Sequence, residues 1–259
     1  MAVYNEVDYL ENSIESVLNQ TCKEFDFLVV NSGSSPACAV LLEKYKKKDS
    51  RIKIIASSLN NLASALNAGL AACSGQYVMR QDADDVSLPD RMQKQMDFIE
   101  RLKLDIIGTF GYLMNEKGSI LKVDKRPCTH EEIAKRLFVA NCILHPTVMF
   151  KKESILRIGG YNVQYEFSQD YELYLRGLRA GLKYGCLPEP LVKIRHRAGA
   201  SSVKNRRRQL LFALSAQANY FAHQRKFSFY SMYCILTHLV KIAIPLWVRG
   251  IRLWIRNRR

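Results

Sequence analysis

Three carboxylates lie within four consecutive positions of this 259-residue chain, in the segment Asp82-Ala83-Asp84-Asp85. The segment follows an apolar run over 77–79 that predicts a buried strand. Carboxylates spaced i, i+2 at a strand's end suit a hard divalent cation such as Mg²⁺ or Mn²⁺, which takes further ligands from water and substrate phosphates. The pattern therefore indicates chemistry on a nucleoside diphosphate compound. A solvated acidic turn is the alternative, since Asp is common where strands end.

The elements before this motif alternate between helix and strand. Apolar periodicity predicts helices at 10–18 and 62–70, and continuous apolar runs predict strands at 25–30, 52–56 and 77–79. This βαβα order predicts an α/β fold with a mostly parallel sheet flanked by helices. Ligands of such sheets bind beyond the carboxyl ends of the strands, which is where 31–35 and 82–85 are expected to meet.

Two helix starts are predicted from capping residues. Asn60 or Asn61 is suited to cap the helix that follows it, because a short polar side chain can accept from the first free backbone N–H groups. Ser87-Leu88-Pro89-Asp90 resembles a capping box with an early proline, and it predicts a helix that ends near Leu102.

The charge of the chain is concentrated at its carboxyl end. All 24 acidic side chains precede residue 191, whereas 15 of the 39 basic ones follow Pro190, so residues 191–259 account for the whole net charge of +15. A neutral body with a basic tail is typical of proteins that meet an anionic surface, either a nucleic acid or a membrane.

The apolar block at 227–248 favours the membrane, because it concentrates aliphatic and aromatic residues rather than spacing aromatics among basic ones. It is about long enough to span a bilayer, but His238, Lys241 and Pro245 interrupt it, and basic residues flank it on both sides. We therefore expect a helix or helical hairpin in the interface of an anionic membrane, and no nucleic acid as partner. A membrane span and a core helix of the globular domain are the alternatives.

Composition also bounds the compartment. The seven cysteines show no CxxC pair or metal-ligand spacing, so we expect reduced thiols and no structural zinc. The first eleven residues are partly acidic and lack the layout of a signal peptide. These features predict a catalytic part in the cytoplasm, peripheral to the cytoplasmic face of the cell membrane.

Six short motifs together resemble the family 2 glycosyltransferases of the GT-A fold, which are inverting enzymes of bacterial surface polysaccharide synthesis. The resemblance covers about residues 1–200. Its carriers are Val3-Tyr4-Asn5-Glu6, Ser16-Val17-Leu18-Asn19-Gln20-Thr21, Leu66-Asn67-Ala68-Gly69-Leu70, Asp82-Ala83-Asp84-Asp85 with Pro89 and Arg91, His145-Pro146-Thr147, and Gln169-Asp170-Tyr171-Glu172-Leu173. It implies a GT-A, Rossmann-like domain over 1–205, and the charge and the apolar block predict a basic, amphipathic helical tail over 206–259.

The resemblance also implies roles for individual residues. Asp84 would ligate an Mn²⁺ or Mg²⁺ that bridges the donor diphosphate, with His196 as a possible second ligand, and Asp170 would be the general base that deprotonates the acceptor hydroxyl. An acidic residue in the first turn of a helix is the structural alternative for Asp170. The residues assigned to the nucleotide-sugar donor are Tyr4, Asn5, Glu6, Asn31, Asp82, Ala83 and His145.

The chain departs from the family pattern at three places. Asn31-Ser32 stands where the family has paired acidic residues that read the nucleotide, which leaves the base open. His196 lies one position away from the family's Arg-x-His register, so a neighbouring residue could take its role. The family's first strand lies mostly upstream of Tyr4-Asn5, so we expect either an upstream start or a poorly stable and inactive form.

The sequence therefore predicts a metal-dependent inverting glycosyltransferase that moves a sugar from a nucleotide donor to a saccharide or polyprenyl-linked acceptor. A degenerate, non-catalytic relative remains an alternative because of the departures. A nucleotidyltransferase would require a Gly- and Lys/Arg-rich phosphate loop near the start, and a basic nucleic-acid-binding protein would require exposed aromatics among basic residues. Neither pattern is found in the sequence.

Overall fold

The computed structural model describes residues 1–57, 61–197, 204–223, 234–237 and 239–240. Over these ranges helices flank two sheets of an α/β fold. The strands are β1 (Ala2–Val3), β2 (Phe27–Asn31), β3 (Ile52–Ala56), β4 (Tyr77–Met79), β5 (Val86–Ser87), β6 (Ile106–Met114), β7 (Ile120–Asp124), β8 (Met149–Lys151) and β9 (Tyr184–Arg195). The α-helices are α1 (Leu10–Leu18), α2 (Pro36–Lys48), α3 (Leu62–Ala72), α4 (Arg91–Arg101), α5 (His130–Leu137), α6 (Lys152–Arg157), α7 (Gln169–Arg179) and α8 (Arg206–Ala222), and a 3₁₀ turn spans His145–Thr147.

The predicted α/β class is confirmed, and parallel pairing applies to the first part of the chain. Strands β1, β2 and β3 pair in that order and are parallel. The second sheet has the order β4-β8-β6-β9-β5, with β7 on β6, and is mixed rather than mostly parallel: β6 and β9 are parallel and the other pairs antiparallel. A short turn joins β6 to β7, and such a connection can only produce antiparallel neighbours.

The elements predicted from periodicity agree closely with the structure. Helix α1 and strands β3 and β4 occupy the predicted residues, and Asn61 caps α3 by accepting from Ala63 N at 2.8 Å. The capping box predicted at Ser87 is wrong, because Ser87 Oγ donates to Gln81 Oε1 at 2.6 Å instead of capping α4. The Ser87 hydroxyl is therefore bonded to the buried side chain of Gln81 and does not cap α4.

Strand β1 is short, and its residue Ala2 lines a cavity of about 310 Å³. Ala2 pairs with Val30 of β2 and forms an isolated parallel bridge with Asp82, so β1 joins the two sheets. Residues of β2 and β4 line the cavity, together with Met149 and Leu66. The buried Met1 ammonium donates to Leu28 O at 2.8 Å, and burial lowers its pKa to about 6.

Helix α8 packs against the globular domain, although the sequence assigned it to a separate tail. Tyr220 and Phe221 are buried in the same hydrophobic core as α5 and α7, and the rings of Phe138 and Tyr220 are 5.4 Å apart. Gln217 Nε2 donates to Phe138 O, and Ser168 Oγ donates to Gln209 O at 3.0 Å. The first helix beyond residue 205 is thus part of the domain core.

The rest of the predicted tail, including most of the apolar block at 227–248, lies outside the described residues. Within the part of the chain that the structure describes, no helix has the length and apolar character needed to cross a bilayer. The seven cysteines are free thiols.

Candidate active site

Buried polar side chains hold the Asp82–Asp85 segment in place from below. Arg91 has no exposed surface, and its guanidinium donates to five acceptors, among them Arg80 O at 2.9 Å and Pro146 O at 3.0 Å. Gln81 Nε2 donates to Asp85 O at 2.9 Å. Because each of these groups is buried and satisfied, the backbone of the acidic segment has little freedom to move.

Four carboxylates gather above this scaffold: Glu6, Asp82, Asp84 and Asp85, here called the acidic cluster. Glu6, Asp82 and Asp84 are paired with arginine side chains, and Asp85 accepts from a backbone N–H. Arg80 Nη2 lies 2.5 Å from Asp82 Oδ1, and the backbone N–H of Arg195 donates to Asp85 Oδ1 at 2.8 Å. Arg197 Nη2 lies 2.7 Å from Asp84 Oδ2 and 2.8 Å from Glu6 Oε2. The cluster joins the segment after β1, the segment after β4 and the end of β9.

The electrostatics of the acidic cluster favour the arrival of a cation. Burial raises the pKa of Asp84, the charge of Asp82 raises it further, and Arg197 opposes both effects. The pKa of Asp85 is raised well above its ordinary value by burial and by the charges of Asp82 and Asp84. Like charges that are crowded and partly desolvated are stabilised by taking up protons or by binding a cation.

The residues of the cluster fit a divalent metal of the Mg²⁺ or Mn²⁺ type. Carboxylate oxygens of Glu6 and Asp84 converge on a single cationic nitrogen, and hard oxygen ligands are what these metals prefer. One or two carboxylates suffice when substrate phosphates supply further ligands. Among the described residues no group of three or more His, Cys, Asp or Glu side chains is arranged to hold a metal without substrate.

The residues after β1 form a tight turn beside the acidic cluster. Asn5 has a positive φ of 52°, and its Oδ1 accepts from Ser35 N at 2.7 Å, which ties this turn to the loop after β2. Asn31 Oδ1 shapes that loop by accepting from Ser34 N at 3.0 Å. Tyr4 is 62% exposed, so its ring is free to contact a ligand. The side chain of Ala83 is partly buried against the core.

Asp170 lies in the first turn of α7, where the sequence predicted it. The preceding Ser168 has a positive φ of 56°, and this conformation turns the chain sharply into the helix. Asn141 Nδ2 donates to Asp170 Oδ2 at 2.7 Å. Burial raises the pKa of Asp170, while the Asn141 hydrogen bond and the charge of Arg80 lower it. A carboxylate with a raised pKa and a neutral partner is suited to accept a proton.

His145 is a buried structural residue in this fold. Its Nε2 lies 3.0 Å from Tyr161 OH, and the backbone of Tyr161 is fixed by Asn67, whose Oδ1 accepts from Tyr161 N at 2.8 Å. Burial lowers the pKa of His145 well below its ordinary value, so the imidazole is neutral at pH 7. Of the two readings of His145, contact with donor or acceptor and a hydrogen-bonded structural role, these contacts support the structural one.

Arg80 links the acidic cluster to Asp170. It is buried, it contacts Asp82 directly, and its charge lowers the pKa of both His145 and Asp170. Within the described part of the chain its Nε and Nη1 have no hydrogen-bond partner. The Arg80 guanidinium therefore influences both the acidic cluster and Asp170, to which the sequence assigned different roles.

The structure does not bring His196 to the metal position. Side chains alternate at the end of β9, so Arg195 and Arg197 both face the Tyr9 ring, at 3.9 and 5.3 Å, while His196 is exposed. Arg197 contacts Asp84 in its place. The one-residue shift from the family's Arg-x-His register therefore places an arginine beside Asp84 instead of a histidine.

Sequence reasoning missed Arg80 and Asn141, and it considered Arg195 and Arg197 only as neighbours that could take the role of His196. The basic residues at 195 and 197 could have been found from their i, i+2 spacing at the end of a strand, which places both on one face. Arg80 lies between the apolar strand β4 and the Asp82–Asp85 segment. A charged side chain at the end of a buried strand needs a partner of opposite charge, so Arg80 could have been predicted to pair with a nearby carboxylate. Nothing in the sequence marks Asn141.

Comparison with known proteins decides the family. The model of the family described as "Glycosyl transferase family 2" matches residues 1–159. The chain is also 38% identical over 198 residues to the O-antigen biosynthesis glycosyltransferase WbnJ of Escherichia coli, covering 75% of this chain and 77% of that protein. The chain belongs to glycosyl transferase family 2. The family resemblance inferred from the six motifs is thereby confirmed, and the chain is a glycosyltransferase.

Solved structures agree with the GT-A fold of this family 2 member. TarS 1–349 of S. aureus in complex with UDP-GlcNAc superposes with a TM-score of 0.71 at 14% identity, over 92% of this chain and 70% of that one. The mannosyltransferase PcManGT of Pyrobaculum calidifontis, in complex with GDP-Man and Mn²⁺, superposes with a TM-score of 0.65 at 15% identity, over 99% of this chain and 78% of that one. The chain spans 42% of a longer TarS chain.

Proposed function

We propose that this family 2 member is a metal-dependent inverting enzyme that transfers a sugar from a nucleotide-sugar donor to a saccharide or polyprenyl-linked acceptor in cell-surface polysaccharide synthesis. The observation that carries the proposal is the convergence of Glu6 and Asp84 on one cationic nitrogen. The names of WbnJ, a glycosyltransferase of O-antigen biosynthesis, and of PcManGT, which binds GDP-Man and Mn²⁺, support it.

On the donor side, the acidic cluster would hold the metal and the nucleotide. Asp84 is the principal metal ligand, with Glu6 beside it, and Asp82 is oriented by Arg80 for contact with the nucleotide. A bound Mn²⁺ or Mg²⁺ would neutralise the charge that develops on the leaving nucleoside diphosphate. The exposed Tyr4 and the turn at Asn5 are the contacts proposed for the base and ribose.

On the acceptor side, Asp170 is the proposed general base. Its carboxylate takes the proton of the acceptor hydroxyl as that oxygen attacks the anomeric carbon, on the face opposite to the diphosphate. The Asn141 hydrogen bond orients the carboxylate, and the raised pKa strengthens it as a base. A single displacement of this kind inverts the anomeric centre.

The site of action proposed for the enzyme is the cytoplasmic face of the cell membrane. The 15 basic residues after Pro190, with no acidic residue among them, and the apolar block at 227–248 support binding to an anionic membrane surface. A lipid-linked acceptor would be encountered at that surface.

Calorimetry with a panel of nucleoside diphosphates and nucleotide sugars tests the donor side. We expect one nucleotide to bind in the presence of Mn²⁺ and to lose most of its affinity without it. Asp84→Asn should abolish the metal-dependent part, and Asp97→Asn, at an exposed position on α4, is the matched control. Absence of binding by any nucleotide would favour the degenerate, non-catalytic relative, and binding that ignores Mn²⁺ would remove metal dependence from the proposal.

A further inference from the structure

Arg197 occupies the position between Glu6 and Asp84 where the proposed metal would be held. A single nitrogen, Nη2, contacts both carboxylates, at 2.8 and 2.7 Å. The three residues come from the beginning, the first half and the last quarter of the chain, so the contact depends on the complete fold. Their meeting makes Arg197 an internal counter-ion of the acidic cluster.

The contacts of Arg197 are of a kind that a ligand can replace. Its side chain is 31% exposed, its Nε is buried without a hydrogen-bond partner in the described structure, and beyond the two carboxylates it meets the Tyr9 ring at 5.3 Å. By contrast, Arg91 is fully buried and donates five hydrogen bonds. Ion pairs near the surface are weak, so a divalent cation at the same carboxylates can displace Arg197 but not Arg91.

We propose that Arg197 competes with the divalent metal for Glu6 and Asp84, so that metal binding requires release of the guanidinium. This inference rests on the metal dependence of the proposed function. A free cation displaces Arg197 without offering it another anion, whereas a cation bound to a diphosphate brings negative charge that the released guanidinium can meet. The competition therefore couples metal binding to donor binding, and the coupling is reciprocal.

Titration of the full-length chain with Mn²⁺ alone, followed by the EPR signal of free Mn²⁺, tests the competition without any turnover. Arg197→Gln should tighten Mn²⁺ binding about tenfold, since two ion pairs no longer have to be broken. Arg197→Lys keeps a competing cation and should stay within about threefold of the unaltered protein. Arg208→Gln removes an exposed ion pair with Glu166, remote from the acidic cluster in sequence, and should change nothing.

A second variant keeps the test decisive if Arg197→Gln does not fold. Tyr9→Leu leaves both carboxylates in place but removes the ring beside Arg197, and it should tighten Mn²⁺ binding about twofold. UDP and GDP then report the coupling: either nucleotide that binds should raise Mn²⁺ affinity more in the unaltered protein than in Arg197→Gln.

The outcomes separate the two proposals. Equal Mn²⁺ affinity in the unaltered protein, Arg197→Gln and Tyr9→Leu overturns the competition and leaves the metal-dependent function standing. Failure of all folded variants to bind Mn²⁺, with or without nucleotide, overturns the metal dependence and the competition together.

Discussion

The acidic cluster and the Asp170 site differ in the groups that surround their partly buried carboxylates. In the acidic cluster four carboxylates meet the guanidinium or backbone of three arginines. Asp170 stands apart from them and is held by the neutral amide of Asn141. Burial raises the pKa of the carboxyl in both places, but the neighbouring carboxylate charges raise it further at Asp84 and Asp85, whereas the Asn141 hydrogen bond lowers it at Asp170. These surroundings agree with the roles proposed for the two regions, cation binding by the acidic cluster and proton transfer by Asp170.

The largest expected effect separates the two regions directly. Asp170→Asn keeps the shape and the Asn141 neighbour but cannot accept a proton, so transfer should fall about 10²- to 10⁴-fold. Metal-dependent donor binding, measured by calorimetry, should stay within about twofold of the unaltered protein. Normal transfer by Asp170→Asn would show that Asp170 is not the base, and the proposed difference in role between the two regions would then be wrong.

The scaffold under the acidic cluster is the next target. Arg91→Met removes a buried cation that satisfies five acceptors, and leaving them unpaired should lower the free energy of unfolding by about 3–5 kcal/mol. Chemical denaturation measures this loss. Lys94→Met, on the exposed side of the same helix, is the control and should leave the free energy of unfolding nearly unchanged. A loss equally small for Arg91→Met would mean that the acidic segment is held by its own backbone.

The pH dependence sharpens the description of the Asp170 site. The Asn141 amide donates to the ionised form and so lowers the pKa of Asp170, against the raising effect of burial. Asn141→Ala should therefore move the acidic limb of the kcat/KM profile to higher pH. Asn162→Ala, in an exposed loop, serves as the control. A limb that moves to lower pH would show that Asn141 stabilises the protonated form.

The smallest expected effect concerns the turn that brings Glu6 to the acidic cluster. Asn5 combines a positive φ with a hydrogen bond from Ser35 N, so Asn5→Ala should cost about 1–2 kcal/mol of stability and weaken donor binding. Asn5→Gly adopts the same φ without strain and should recover part of the stability. If the two variants are equally stable, the turn is held by its neighbours rather than by the backbone preference of residue 5.

Local patterns in the sequence were enough to predict the elements that carry the site. Helix α1, strands β3 and β4 and the Asn61 cap agree with the structure because apolar periodicity and capping are properties of neighbouring residues. The same patterns placed Asp84 after a strand and Asp170 in the first turn of a helix. The mixed second sheet and the packing of α8 on the domain were not predictable, since both depend on contacts between distant segments.

The Ser87 cap and His196 show where local reasoning fails. Ser87 bonds to the side chains of Gln81 and Arg91 instead of capping the backbone of α4, because a buried polar network outweighs one capping bond. At the end of β9, alternation of side chains turns His196 to solvent and Arg197 to Asp84. A shift of one residue therefore places Arg197, the proposed competitor of the metal, where the sequence had placed His196 as a metal ligand.

By itself the sequence determined the α/β class, the family and the positions of the four carboxylates to which it assigned roles, because these follow from residue types at short spacings. The tertiary structure decided which groups surround each carboxylate. It brought Arg197 to Asp84 and Glu6 across more than a hundred residues, and Asn141 to Asp170. Charge compensation and desolvation depend on distances in space, which no spacing along the chain specifies.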